Sequence, residues 1–161
     1  MEKVFDAIAN FFKQDEWEYS QVEGEPILQM GFTGDNGNWM CYAQAIENEE
    51  AAQFLFYSVC PVKAPENKRI TIAEFITRAN YDIVIGNFEL DLNDGEIRYK
   101  TSIDVKDDRL SSALCKQLVY TNLAMMDRYL PGMMAVIYGG VSPKGAIAQI
   151  ENQLESGVEQ N

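Results

Sequence analysis

Residues 87–105 constrain this chain more than any other segment. Residues 87–92 and 96–105 alternate apolar and polar side chains around Asp94-Gly95, the period-two pattern of half-buried strands joined by a turn. With Asp94-Gly95 as a two-residue turn, one face pairs Leu92 with Ile97, Leu90 with Tyr99 and Phe88 with Thr101. The other face pairs Asp91 with Arg98 and Glu89 with Lys100, matching opposite charges twice. A slip of one residue would turn both faces inside out. An isolated hairpin is marginal in water, so this one needs more strands or a covering helix.

Both are supplied. Ahead of it, residues 27–32, 39–46 and 54–59 read as strands, with Asn36-Gly37 a type I′ hairpin signal and residues 47–50 a second turn. Trp39-Met40-Cys41-Tyr42-Ala43 has little polar alternation, which predicts a strand covered on both faces. Pro61 and Pro65 break the sheet, because neither can donate to a ladder. Residues 2–14 place Val4, Phe5, Ile8, Phe11 and Phe12 on one helical stripe. Thr71 with Glu74 suggests a capping box for a second helix carrying Ile72, Phe75, Ile76, Ala79 and Ile83. Ser111 can cap a third, in which Pro131-Gly132 either kinks one long helix or separates two. Residues 143–154 can add a short helix. Short turns between successive strands imply an antiparallel sheet. The expected class is therefore α+β, a sheet packed against N- and C-terminal helices in the order α-β-β-β-α-β-β-α. The expected organisation is one domain over residues 1–155 and a flexible tail over 156–161.

Composition then removes functions. The 161 residues hold 25 Asp and Glu against 13 Lys and Arg, a net charge of −12, and no histidine. That sign argues against nucleic acid and against an anionic membrane. Without histidine there is no Ser-His-Asp triad, no Cys-His pair and no His-ligated zinc. The charge is regional: residues 1–66 carry −9 and residues 67–161 carry −3, so a basic partner would approach the first half. Cys41, Cys60 and Cys115 form no Cys-x-x-Cys motif. The N-terminus lacks a signal-peptide pattern and no apolar run reaches membrane-spanning length, so a cytoplasmic protein with reduced thiols is expected.

Four segments carry a resemblance. Thr77-Arg78-Ala79-Asn80-Tyr81, Gly86-Asn87-Phe88-Glu89-Leu90-Asp91, Asp94-Gly95-Glu96-Ile97-Arg98-Tyr99-Lys100 and Met126-Asp127-Arg128-Tyr129-Leu130-Pro131 resemble the YbjN-domain family over roughly residues 3–150. That bacterial family is also described as sensory transduction regulators. The resemblance implies the fold of class I type III secretion chaperones, dimers that hold extended client segments. It brings no catalytic motif.

Candidate chemistry is sparse. Asp104, Asp107 and Asp108 lack the EF-hand series and its terminal Glu, and the glycines from Gly31 to Gly37 are not followed by Gly-Lys-Ser/Thr. No catalytic, cofactor or metal residues are assigned. Met125, Met126, Met133, Met134 and Tyr138, clustered about Pro131-Gly132, form the candidate protein-interaction surface, since methionine adapts to irregular partners. The functional expectation is a non-enzymatic, chaperone-like or regulatory homodimer that binds a protein or peptide. The alternatives are a small-molecule sensor with Trp39, Tyr42 and Tyr99 around a cavity, and a carboxylate-based enzyme.

Overall fold

In the computed structural model, which describes residues 2–159, the chain order is α-β-β-β-α-β-β-α with two additions. A first helix, α1 (Val4–Gln14), leads into a two-residue strand, β1 (Ser20–Gln21). The long strands β2 (Ile27–Thr33), β3 (Asn38–Glu47) and β4 (Ala52–Val59) follow, then α2 (Arg69–Asn80), β5 (Asn87–Leu90), β6 (Ile97–Asp104) and α3 (Ser112–Tyr138). The second addition is α4 (Pro143–Glu159), which runs past the short helix expected to end at 154. Residues 160 and 161, part of the expected tail, lie outside the described residues.

The six strands form one antiparallel sheet ordered β1-β2-β3-β4-β6-β5. Helices α1 and α3 cross its inner face over β3, β4 and β6, and α2 packs beside β5. Ile8 and Phe12 from α1 meet Phe54 and Phe56 from β4, all fully buried, and the Phe12 and Phe56 rings stack 6.1 Å apart. Burial of this kind contributes about 1.5–3 kcal/mol per large side chain, which holds the helices to one face.

Both hairpins differ from the turns their sequences favour. In β5–β6, Leu90 faces Ile97, Phe88 faces Tyr99 and Glu89 faces Arg98, a shift of two residues from the expected pairs. A two-residue shift preserves the faces. The expected Asp94-Gly95 turn becomes the four-residue loop 92–95: Asp91 donates its N–H to Glu96 O (2.9 Å) and its carbonyl accepts Gly95 N–H (2.7 Å). Asp91 and Asp94 side chains cap the loop by accepting the N–H groups of Asn93 and Glu96. The cause is tertiary, because Gly95 O accepts Ala64 N–H at 2.8 Å and ties the loop to the segment ahead of α2.

The β2–β3 loop repeats this logic. Thr33 pairs with Asn38, leaving residues 34–37 as a four-residue loop instead of an Asn36-Gly37 type I′ turn. Asp127 on α3 accepts the N–H groups of Asp35 (3.1 Å) and Asn36 (2.8 Å). Helix α3 is continuous through Pro131, so the proline neither divides nor ends it. Proline has no N–H for the carbonyl four residues earlier, which is Asp127 O, and Asn36 Nδ2 donates to that carbonyl at 2.9 Å. Asn36→Ala is expected to lower the melting temperature by about 2–4 °C, roughly 1 kcal/mol. In a Pro131→Ala background the restored helix amide takes Asp127 O, and the same substitution should cost less than half as much. A thermal double-mutant cycle checks this; strict additivity would refute it.

Two other expectations change. Ser111 caps α3 as expected, accepting Leu114 N–H at 3.1 Å. Thr71 does not cap α2, because a 3-10 turn at Glu66–Lys68 feeds directly into the helix at Arg69. Glu74 instead pairs with Arg78 at 3.1 Å, one turn on. Strand β3 is covered on one face only: Trp39, Cys41, Ala43 and Ala45 are buried, while Met40 is 44% exposed.

Candidate functional site

Because α1, α2 and α3 lie on the inner side of the sheet and α4 packs on α2 and α3, the outer face carries no helix among the described residues. Strand alternation places Met40 and Tyr42 of β3 opposite Val59 and Tyr57 of β4, with Leu55 beside Gln44. On the other side of β4, Tyr57 faces Lys100 and Val59 faces Arg98. The result is an aromatic and aliphatic strip with a basic flank. A shallow depression of about 610 Å³ lies at its end, between Gly31, Met40, Tyr42, Val59 and Pro61.

The basic flank is organised by one acid. Arg98 Nε lies 2.8 Å and Lys100 Nζ 3.2 Å from the two oxygens of Glu89, and the Arg98 guanidinium sits 4.3 Å over the Tyr57 ring. Two cations thus share one carboxylate, with Glu96 two residues from Arg98 on the same strand face. Partial burial pushes the Glu89 carboxyl up, but the hydrogen bonds from Arg98 and Lys100 outweigh it and hold Glu89 below its ordinary value. A depressed carboxyl stabilises the fold above the unfolded-state value and loses that contribution as pH falls through the folded one. Glu89→Gln should therefore flatten the stability profile below about pH 4.5, while costing roughly 1 kcal/mol or less at neutral pH. Melting curves from pH 7 to 3 test it; an unchanged acid limb counts against it.

The sheet edges are managed separately. At β5, Asn80 accepts Phe88 N–H (2.7 Å) and donates to Phe88 O (3.1 Å), so one side chain occupies the outer backbone groups of that residue. Strand β1 pairs only with Leu28 and Gln29, leaving residues 30–33 of β2 without a strand on that side.

The methionines divide. Met126 and Met133 are fully buried in the core, because α3 turns that stripe toward the sheet. Met125 and Met134 are half-buried against the core and Tyr138 is 71% exposed. The five therefore do not make one continuous outer surface. Trp39 and Tyr42 both line the depression at the end of the strip, but Tyr99 is fully buried away from it, so the trio weighed for a sensor does not surround one cavity. Burial pushes the thiols up to about 12 for Cys41, about 11 for Cys60 and about 12 for Cys115, which keeps them protonated. Asp104 is tied to Gln53 and Lys106 N–H, and no cluster of three metal-ligating side chains occurs among the described residues. No helix among the described residues is long and apolar enough to cross a membrane.

Sequence reasoning missed one surface. Residues 81–86 join α2 to β5 and expose Tyr81 (80%), Val84 (92%) and Ile85 (48%). Their consecutive apolar character between two strong elements was the available signal.

A one-sided antiparallel sheet backed by helices defines a small α+β module organised around surfaces. The chain belongs to the YbjN family, whose description, "Putative bacterial sensory transduction regulator", matches residues 5–135. It is similar in fold to the crystal structure of YbjN from E. coli, described as "a putative transcription regulator": TM-score 0.60 and 11% identity, covering 76% of this chain and 85% of that one. No curated protein gives a significant match.

Proposed function

We propose that this chain is a non-enzymatic regulatory module that binds a protein or peptide across its bare sheet face and works as a cytoplasmic homodimer. The observation that carries the reading is the one-sided cover of the sheet, which leaves Met40, Tyr42, Leu55, Tyr57 and Val59 on a face no helix occupies. A contiguous apolar strip of this kind with a polar rim suits a partner surface. The flank of Arg98 and Lys100 supplies orientation, because opposed charges set register and on-rate.

The test is affinity purification from the native cell with mass spectrometry, at low and high salt, using wild type and Tyr57→Asp. A stoichiometric partner retained by wild type and lost from a folded variant supports the reading. Equal recovery by both proteins refutes the sheet face, and a monomeric mass by light scattering at all concentrations refutes the dimer.

A further inference from the structure

We propose that a groove between residues 81–86 and helix α3 receives a single acidic side chain, flanked by apolar residues, from a partner polypeptide. The inference rests on the reading of this chain as a protein-binding module and adds a second surface with its own chemistry. The groove measures about 390 Å³ and is bounded by Tyr81, Val84, Ile85, Met125, Arg128 and Glu151.

Arg128 gives it polarity. Among the described residues its buried Nε has no hydrogen-bond acceptor and it joins none of the ion pairs, while its guanidinium stands 5.1 Å over the Tyr129 ring. The Nε is enclosed, so an incoming carboxylate would meet the terminal nitrogens of the half-buried guanidinium, which make no hydrogen bond among the described residues. The apolar rim is held in place. Ile83 N–H donates to Asn80 O at 3.1 Å, Tyr99 Oη donates to Ile85 O, and Gly86, at φ +81°, fits against Lys100 O where a Cβ would lie 2.6 Å away. Val84 and Tyr81 are thus exposed on a tethered loop, which reduces the ordering cost of covering them.

The same surroundings restrict the occupant. Asp82 and Glu151 also line the groove, so a polyacidic segment would be repelled while one carboxylate can reach Arg128. The required ligand is one Asp or Glu with aliphatic or aromatic neighbours to cover Tyr81, Val84 and Ile85.

The experiment is an NMR titration of the full chain with acetyl-Leu-Asp-Phe-amide and its Asn counterpart. Shifts should concentrate at residues 81–86, Met125 and Arg128, with the Asp peptide binding about tenfold more tightly. Arg128→Gln should abolish that preference, and Glu151→Gln, an exposed substitution on α4, should strengthen Asp-peptide binding. Equal affinity for the two peptides, shifts elsewhere, or no binding at millimolar peptide would overturn the proposal. So would equal binding of acetate, which would mark a small-anion site, or shifts at these residues that track protein concentration without peptide, which would mark self-association. Loss of the groove with Tyr57-dependent capture intact removes only this inference; the reverse outcome removes only the sheet-face reading.

Discussion

Asn122→Leu is expected to melt about 6–12 °C below wild type, a loss of roughly 3 kcal/mol for a chain of this size. Asn122 is fully buried where α3 crosses the sheet. Its Nδ2 donates to Phe56 O on β4 (2.8 Å) and to Tyr99 O (3.0 Å) and Thr101 Oγ1 (3.2 Å) on β6. Thr101 in turn donates to Leu118 O at 2.9 Å, closing the connection back to α3. Leucine has similar volume, so the cost is chiefly the lost Nδ2 hydrogen bonds, about 1–1.5 kcal/mol each, partly offset because Asn122 Oδ1 is itself buried without a partner among the described residues. The two strands tied are those joined through the long crossover by way of α2 and β5, so the contact also fixes where the second hairpin enters the sheet. Thr101→Val should cost less alone, and the double variant should fall short of the sum, because both remove one network. Thermal and urea unfolding measure all three; a shift under about 2 °C for Asn122→Leu would refute the account.

Asn122 also marks the limit of what periodicity reveals. Apolar spacing locates α1, α2 and α3 and alternation locates the β5–β6 hairpin, because burial of one face imposes those periods directly, while β3 shows only as an apolar run between turn signals. A polar residue on an apolar stripe carries no such signature, and its value depends on carbonyls 23 and 66 positions away. The turns were misread for a related reason. Asn36-Gly37 and Asp94-Gly95 favour tight hairpins locally, yet Asp127 and Ala64 hold each loop in a longer form. The methionine cluster shows the converse. Met126 and Met133 follow the core stripe of α3, whereas the bare sheet face was hidden by the mistaken expectation that β3 is covered twice. What decided the candidate site was which side of the sheet the helices chose, a global property.

That choice explains the charge pattern as well. The alternation that separated Glu89, Arg98 and Lys100 from the apolar face was correct, and the two-residue shift left it correct. It changed only the arithmetic: one acid now serves two cations, where two acids had been expected to serve one each. The shared carboxylate beside Tyr57 is therefore a consequence of loop docking at Gly95.

Gly95→Ala should consequently be among the most damaging single substitutions outside the core, lowering the melting temperature by about 6–12 °C for roughly 3 kcal/mol. Two costs combine. Gly95 sits at φ +84°, where a Cβ costs about 1–2 kcal/mol. A Cβ there would also lie 2.1 Å from Ala64 O, so the loop must lift and lose its 2.8 Å bond from Ala64 N–H. Gly24 separates the two terms, since its φ is +75° but a Cβ at that position would meet nothing within 4 Å. Gly24→Ala should lower the melting temperature by only about 2–4 °C, and Gly24→Asn by less, because asparagine tolerates the left-handed region. Gly95→Asn should be as damaging as Gly95→Ala, since tolerance of φ does not create space. Once undocked, the hairpin can adopt the two-residue turn its sequence favours, placing Asp91 opposite Arg98 and Glu89 opposite Lys100 with both faces preserved. Cross-strand NOEs between the Cα protons of residues 90 and 99, a non-hydrogen-bonded pair in the two-residue-turn register, would reveal it in Gly95→Ala. Equal losses at Gly24 and Gly95 would instead show that φ alone, and not the contact with Ala64, holds the loop.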